Sequence, residues 1–307
     1  MPFLPITLND GRKIPSIAFG TGSVWKGSEM TSYVVQALSA GFVHIDSAQA
    51  YRTERSIGAA LEELKVERNE VWLTTKYLNG GSVRDRLLDS LDKLGVKSVD
   101  LYLVHSPAYI INLVQTWKEF ESVAREGLAR SIGVSNCYAK DLELIMKNAE
   151  ITPAVNQISF NPYKLREMLP ILDYCRDHGI VVEAYSCLAP ITRQPGGPVD
   201  EPVRLAAERI KATPAQVLLS WARRKGCVLV TTSSKRDRLD EYLAVANLPS
   251  LTEQEIQAID DAGMKGYPTS IRQPFREPEE TNLNGQARTQ HGTGFEDEGL
   301  CDSCICS

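Results

Sequence analysis

The sequence predicts a (β/α)8 barrel, and three observations carry that expectation. Eight β-type runs alternate with amphipathic helical runs along the chain. Parallel strands need helical crossovers between them, so regular alternation points to a parallel sheet covered by helices. The strand runs are apolar at consecutive positions rather than at every second one, the pattern of strands buried on both faces. The length of 307 residues, with 43% hydrophobic side chains, suits one large α/β barrel with a sizeable core.

The elements follow in order. The opening ITL-NDG-RKIP reads as a small hairpin, because Asn9, Asp10 and Gly11 suit a tight turn, and it is expected to cap the lower end of the barrel. Barrel strands are expected at SIAFG (16–20), VHIDS (43–47), VWLTTK (71–76), VDLYLVH (99–105), ARSIGVSN (129–136), AVNQIS (154–159), VVEAYS (181–186) and CVLVTTS (227–233). TERSIGAALEEL (53–64), VRDRLLDSLDKLG (83–95), PAQVLLSWARRKG (214–226) and LTEQEIQAIDDAG (251–263) repeat apolar residues at three and four positions, with caps or glycines at their ends, and read as helices. The barrel is assigned to residues 1–280. KGYPTSIRQPFREPEE (265–280) has the proline and aromatic content of a loop over a pocket, with Tyr267 and Phe275 as closing residues. Residues 281–307 are polar and poor in aliphatics, and are expected to be a disordered tail. Its last residues, Cys304-Ile305-Cys306-Ser307, fit a C-a-a-X prenylation pattern, and Cys301, Cys304 and Cys306 suit acylation or a metal; without a polybasic neighbour, an unmodified tail is the expectation.

Charge and composition exclude several classes of function. A net charge of -5 offers no broadly basic surface for nucleic acid or an anionic membrane. No apolar run approaches the roughly 20 residues that span a bilayer, and MPFLPITLNDGRKIP lacks the layout of a secretory signal. A cytoplasmic monomer is expected. Cys137, Cys175, Cys187 and Cys227 are scattered singly through regular segments, as buried thiols in a reducing compartment are, so no disulfide framework is expected.

In such barrels the chemistry sits where strands end and βα loops begin. Asp46 ends the second barrel strand, Lys76 the third and His105 the fourth, while Tyr51 lies one loop beyond Asp46. Consecutive strands thus bring a carboxylate, an ammonium, an imidazole and a phenol to one rim. A free tyrosine, with a pKa of about 10, is a poor acid at neutral pH unless a cation stabilises its phenolate. Lys76 supplies that cation, Asp46 holds Lys76 charged, and His105 is placed to hydrogen-bond a carbonyl oxygen. Taken singly each residue has a plainer role: Asp46 a cap, Lys76 a solvated end, His105 a buried structural imidazole, Tyr51 a loop aromatic. Their concurrence on neighbouring strand ends favours the proton-transfer site.

With these residues in hand, the chain resembles the aldo-keto reductases over roughly Phe3 to Phe275. The family signature is met by Gly41, Phe42, His44, Ile45, Asp46, Ser47, Ala48, Tyr51, Glu54 and Gly58, with Val43 standing where the family commonly has arginine. The resemblance implies that Asp46, Tyr51, Lys76 and His105 form the catalytic tetrad, that a reduced nicotinamide delivers hydride to a carbonyl carbon while Tyr51 protonates the oxygen, and that no metal takes part. It also implies that Ser135, Asn136 and Gln157 bond the nicotinamide carboxamide and that Tyr185 stacks on the ring. Thr21, Gly22, Ser186 and Leu188 would lie along the cofactor. No strand is followed by G-x-G-x-x-G, so a Rossmann site is not expected.

At the adenosine end, members that prefer NADPH commonly read Val-Pro-Lys-Ser with an arginine five residues on. Here LVTTSSKRDRLDEY places Thr232 at the lysine position, Ser233 at the serine and Arg238 at the arginine. Lys235 and Arg236 stand nearby at a helix start whose free amides also favour a phosphate, though a solvated helix start is their plainer role. The Thr-Thr-Ser-Ser-Lys run and the pair Trp25-Lys26 are similar to the conjugated polyketone reductase branch, which implies NADPH/NADP+ as cofactor and Lys26 as a further phosphate contact. Loops after the fourth and seventh strands read as short, implying an open, apolar pocket lined by Trp25, Tyr51, Tyr77, His105 and Tyr109 and suited to ketones or aldehydes with planar or bulky groups. The alternative is a non-catalytic, NADPH-binding, redox-sensing protein of the same fold. A barrel hydrolase would need a metal cluster or a carboxylate pair at the strand ends, and the sequence offers neither.

Overall fold

In the computed structural model, residues 3–23 and 26–268 are described. Two short antiparallel strands, β1 (Ile6–Thr7) and β2 (Lys13–Ile14), form the hairpin. Eight strands then close into a parallel barrel: β3 (Ile17–Gly20), β4 (His44–Asp46), β5 (Trp72–Tyr77), β6 (Val99–Val104), β7 (Ala129–Ser135), β8 (Val155–Ser159), β9 (Val181–Tyr185) and β10 (Val228–Thr231), with β10 pairing β3. Every strand expected from the sequence is present, and consecutive strands neighbour one another, the arrangement that right-handed βαβ crossovers produce. The helices are α1 (Thr31–Ala40), α2 (Glu54–Leu64), α3 (Val83–Leu94), α4 (Leu113–Arg125), α5 (Ala139–Met146), α6 (Leu165–Asp177), α7 (Ala189–Thr192), α8 (Asp200–Ile210), α9 (Pro214–Arg224), α10 (Arg236–Ala244) and α11 (Glu253–Met264). Trp25, Phe275 and the tail residues Cys301, Cys304 and Cys306 lie outside the described residues.

The hairpin closes the N-terminal end of the barrel, as expected. Asn9 Nδ2 donates to the carbonyl of Pro153, just ahead of β8, and Ser131 Oγ on β7 donates to Asp10. Leu8 and Ile14 then pack beneath Leu101, Leu103, Val155 and Val228, a small apolar plug inside the barrel. The main core is the ring between strands and helices, where Trp117, Phe120, Tyr102, Phe160 and Trp221 are buried. Above the plug the barrel interior departs from the apolar filling expected of it. His44, Asp46, Thr74, Lys76, Gln157 and Glu183 occupy inward positions of β4, β5, β8 and β9, and all six are buried. Runs apolar on both faces therefore describe the lower half of the barrel and the outer face alone. Polar groups in the upper half are tolerated because they bond one another.

The seventh crossover also differs from the short loop expected. Ser186 to Val199 intervenes between β9 and α8 and carries the single turn α7. Its backbone enters through Ser186 in the left-handed region, at φ 59°, a conformation that non-glycine residues adopt at a cost and that concentrates at functional sites.

Candidate active site

The tetrad assembles from three strand ends and one turn. Asp46 closes β4, and its Oδ1 accepts from Lys76 Nζ at 2.6 Å; the same ammonium donates to the Ser47 carbonyl at 2.8 Å. Lys76 is completely buried. Burial works against its charge, but the Asp46 carboxylate and its hydrogen bond, with further help from Tyr51 and Glu183, outweigh that and hold the ammonium above its usual range. Lys76 Nζ lies 4.9 Å from the centroid of the Tyr51 ring, and Tyr51 Oη is 3.5 Å from His105 Nε2. Hydrogen bonds of catalytic groups are commonly long without ligand. Burial, with Lys76 and Lys26 adding to it, pushes the His105 imidazole down to about 3, so it is neutral at pH 7. A neutral imidazole there is a hydrogen-bond donor rather than an acid.

Local sequence explains how Tyr51 is aimed. It ends a single 3-10 turn (Gln49–Tyr51), and Arg52 follows in the left-handed region at φ 56°. Gln49 Nε2 anchors the turn to the Arg86 carbonyl and Ser90 Oγ on α3. The hydroxyl of Thr53 bonds those of Thr21 and Ser47, tying the turn to the ends of β3 and β4. Gly22 is a glycine for a reason of contact: a Cβ there would stand 2.5 Å from Tyr51 Cζ.

Beside the tetrad lies a cleft of about 310 Å³, whose lining includes Gly20, Gly22, Asp46, Tyr51 and His105 together with Thr231, Thr232 and Tyr242. The three residues expected at a carboxamide, Ser135, Asn136 and Gln157, and Tyr185, expected at the ring, are brought together on its wall. Ser135 Oγ donates to the Gln157 carbonyl at 2.9 Å, Asn136 Nδ2 donates to the His105 carbonyl and to Ser135 Oγ, and Tyr185 Oη donates to Asn136 Oδ1 at 2.7 Å. Asn136, like Ser186, sits in the left-handed region. Gln157 donates to Asp46, linking this group to the tetrad. Ser186 and Leu188 line the cleft from the seventh crossover, together with Cys187, Thr192 and Arg193.

Other expected residues are placed differently. Tyr77 does not line this cleft. The pleat alternates side chains, so with Lys76 facing inward Tyr77 faces outward, where it packs edge-on against Phe120 and donates to the Gly81 carbonyl. Tyr109 is half-buried in the turn after β6 and is absent from the cleft lining. Thr21 is buried, with its hydroxyl turned to Asp46 O and Thr53. Lys26 Nζ stands 5.2 Å from the Tyr51 ring centroid, beside the tetrad. Following β10, Thr232 Oγ1 is buried without a hydrogen-bond partner, Ser233 Oγ accepts from the Lys235 amide that precedes α10, and Arg238 pairs with Glu241 at 2.7 Å. Tyr267 donates to the Pro195 carbonyl, bracing the seventh crossover that borders the cleft. Among the described residues no cluster of three or more His, Cys, Asp or Glu suits a metal ion, and no helix is long and apolar enough to cross a membrane.

The profile of the aldo/keto reductase family matches residues 16–263, which takes in every barrel strand from β3 to β10. The chain belongs to the aldo/keto reductase family. Among aldo/keto reductase relatives, the NAD/NADP-dependent indole-3-acetaldehyde reductase of Schizosaccharomyces pombe is 38% identical over 268 residues, 83% of this chain and 93% of that protein. The NADPH-dependent alpha-keto amide reductase of Saccharomyces cerevisiae is 38% identical over 289 residues, 86% of this chain and 92% of that one. The crystal structure of a Bombyx mori aldo-keto reductase in complex with NADP superposes with a TM-score of 0.77 at 32% identity, covering 84% of this chain and 92% of the other.

Residues that sequence reasoning missed are Glu183 beneath the site and Cys187, Thr192, Arg193 and Tyr242 on the cleft wall. The signal for Glu183 was an acid inside an apolar strand run, at the same parity as Tyr185. Cys187, Thr192 and Arg193 lie on the long seventh crossover, whose path no local pattern specifies.

Proposed function

We propose that this aldo/keto reductase reduces aldehyde or ketone carbonyls to alcohols with NADPH, with Tyr51 as the proton donor. The carrying observation is the buried Asp46–Lys76 pair directly under the Tyr51 ring. The cleft offers groups a dinucleotide needs: hydrogen-bonding side chains and Tyr185 gather beside the tetrad, and the unpartnered Thr232 hydroxyl belongs to a lining residue. Ser135, Asn136 and Gln157 would hold the carboxamide of the nicotinamide, Tyr185 its ring, and Gly22, Ser186 and Leu188 the linking phosphates. Thr232, Ser233, Lys235 and Arg238 would hold the adenosine 2'-phosphate, with a direct cationic partner to be supplied by Arg238 or Lys235 as their exposed side chains swing. When bound, the reduced nicotinamide supplies the hydride.

The chain's own residues supply the proton and its control. Tyr51 Oη transfers its proton to the carbonyl oxygen as negative charge develops there, and the Lys76 ammonium stabilises the phenolate left behind. Asp46 keeps Lys76 charged and in place. His105, neutral, donates from Nε2 to the same oxygen and sets its angle. Both NADP-dependent relatives act on small carbonyl compounds by their names, which supports an aldehyde or a keto group next to a second carbonyl as substrate.

The test follows NADPH oxidation at 340 nm, with NADH alongside, over an aromatic aldehyde, an α-keto lactone, an isatin and a simple ketone. Turnover with a clear rank among carbonyls is expected. Tyr51→Phe should lower it by about 10²–10⁴-fold while leaving NADPH affinity unchanged, the range expected for a positioned general acid. Tight NADPH binding with no turnover on any carbonyl would favour the redox-sensing alternative.

A further inference from the structure

Beneath the tetrad lies a carboxyl group that the proposed reaction does not use. Glu183 is on β9, in register with Gln157 on β8 and with Val228 on β10, and is fully buried. Its Oε2 accepts from Gln157 Nε2 at 2.8 Å. Its Oε1 has no hydrogen-bond partner and lies 3.9 Å from His44 Nε2. The same Gln157 nitrogen donates to Asp46 Oδ2, also at 2.8 Å.

An amide nitrogen carries two hydrogens, and here each is directed at a different carboxyl group. Turning the amide over would set its oxygen against the Asp46 carboxylate and take the Gln157 donor away from both carboxyl groups, a costly state in a buried site. The side-chain amide oxygen of Gln157, Oε1, is thereby left for the cleft that the residue lines. Packing alone does not call for an acid at this position, because a buried carboxyl with one orphaned oxygen costs stability that an apolar side chain of similar volume avoids.

We propose that Glu183 is a positioning residue of this active site, which locks the Gln157 amide with its oxygen toward the cleft, ready to accept from the carboxamide of a nicotinamide. This rests on the nicotinamide reading above. The groups that charge or titrate around Glu183 are His44 and Asp46 from β4 and Lys76 from β5, while Gln157 and Val228 on the flanking strands carry no charge. Burial first, then the Asp46 carboxylate, push the Glu183 carboxyl up to about 8, with the Gln157 hydrogen bond and Lys76 opposing. Burial pushes His44 down to about 4, so it is neutral and adds no cation to hold a carboxylate. The hydrogen bond from Gln157 persists whichever form Glu183 takes, because both a carboxylate and a carboxyl oxygen accept.

The test compares Glu183→Leu and Glu183→Gln with the wild type by NADPH affinity (fluorescence quenching), thermal midpoint and, without ligand, the side-chain amide resonances of Gln157. Glu183→Leu should weaken NADPH binding about tenfold, the loss of one hydrogen bond's worth of orientation, while its midpoint stays level or rises. Glu183→Gln, which retains an acceptor oxygen, should bind within about twofold of the wild type. A purely structural role would instead move affinity and midpoint together. Wild-type affinity in Glu183→Leu, or equal weakening in both variants, would overturn the proposal. The ligand-free resonances separate its failure from that of the cofactor reading. Two distinct, exchange-protected Gln157 amide hydrogens in the wild type support the lock even if NADPH does not bind, and rapidly exchanging, averaged ones refute it even if Glu183→Leu does not fold.

Discussion

In the proposed mechanism the four rim residues act through contacts so close that single atoms decide the outcome. Gly22 touches the face of the Tyr51 ring, and an added methyl would stand 2.5 Å from Cζ. The ring would have to move, and it is held by the Thr53 and Gln49 anchors of its turn. Gly22→Ala is therefore expected to lower kcat by about 10²-fold with little loss of thermal stability, since displacements near 1 Å in a catalytic group cost on that order. Steady-state rates and a melting curve on the same sample check it. Lys76→Met tests the next contact. It removes the cation beside the phenol and strands Asp46 as an unpaired buried carboxylate. Reduction at pH 7 should fall by about 10²-fold or more, and a variant with wild-type rates would remove Lys76 from the mechanism. Asp46, Tyr51, Lys76 and His105 were legible because polar residues at consecutive strand ends are improbable by chance. Tyr77 was misplaced by one step of the pleat, since a strand end reached by counting does not say which of two adjacent residues faces inward.

Helices divide into features that local sequence dictates and features that docking dictates. The start of α11 is local: Thr252 Oγ1 accepts from the Glu255 amide, and Glu255 reaches back to the Thr252 amide, a reciprocal capping box written in four consecutive residues. Gly263, near its other end, is the opposite case. Helix propensity alone favours alanine there by about 1 kcal/mol. A Cβ at Gly263, however, would stand 2.2 Å from the Pro162 carbonyl, backbone that cannot rotate aside. Overpacking of this kind costs about 1–3 kcal/mol. Gly263→Ala should accordingly lower the thermal midpoint by several degrees, where an isolated peptide of α11 would gain helicity from the same change. Thermal scans of the protein and circular dichroism of the peptide make the comparison.

Stability of the whole molecule is tied to pH through groups that the barrel buries. His44 and His105 are pushed down by burial to about 4 and about 3. Each binds its proton less tightly folded than unfolded, so its contribution is present above about pH 6.5 and lost as pH falls through the folded values. Glu183 runs the other way: raised to about 8, it binds its proton more tightly when folded, so its contribution is full below about pH 4.5 and lost as pH rises toward 8. With two groups gaining and one losing up to about pH 6.5, and only the loss continuing above it, the midpoint should peak near pH 6.5. Glu183→Gln should flatten the alkaline side and steepen the rise between about pH 4.5 and pH 6.5. A series of thermal scans from pH 4 to pH 9 reads both limbs.

Sequence by itself determined the barrel, the capping hairpin, the order of the strands and the four residues at the rim, because each is encoded by neighbours: apolar runs, turn residues, and polar side chains where runs stop. The seventh crossover, the polar upper interior and the partners of Gln157 were decided only by tertiary structure. Glu183 and Asp46 are 137 residues apart in the chain and meet on one amide nitrogen, and no periodicity reports which inward positions of β4, β8 and β9 fall in the same layer. Closure of the barrel fixes that layer, through the shear that sets each strand's height against its neighbour. Charge, hydrogen bonding and the height of a residue on its strand then turn an unremarked acid in an apolar run into part of the site.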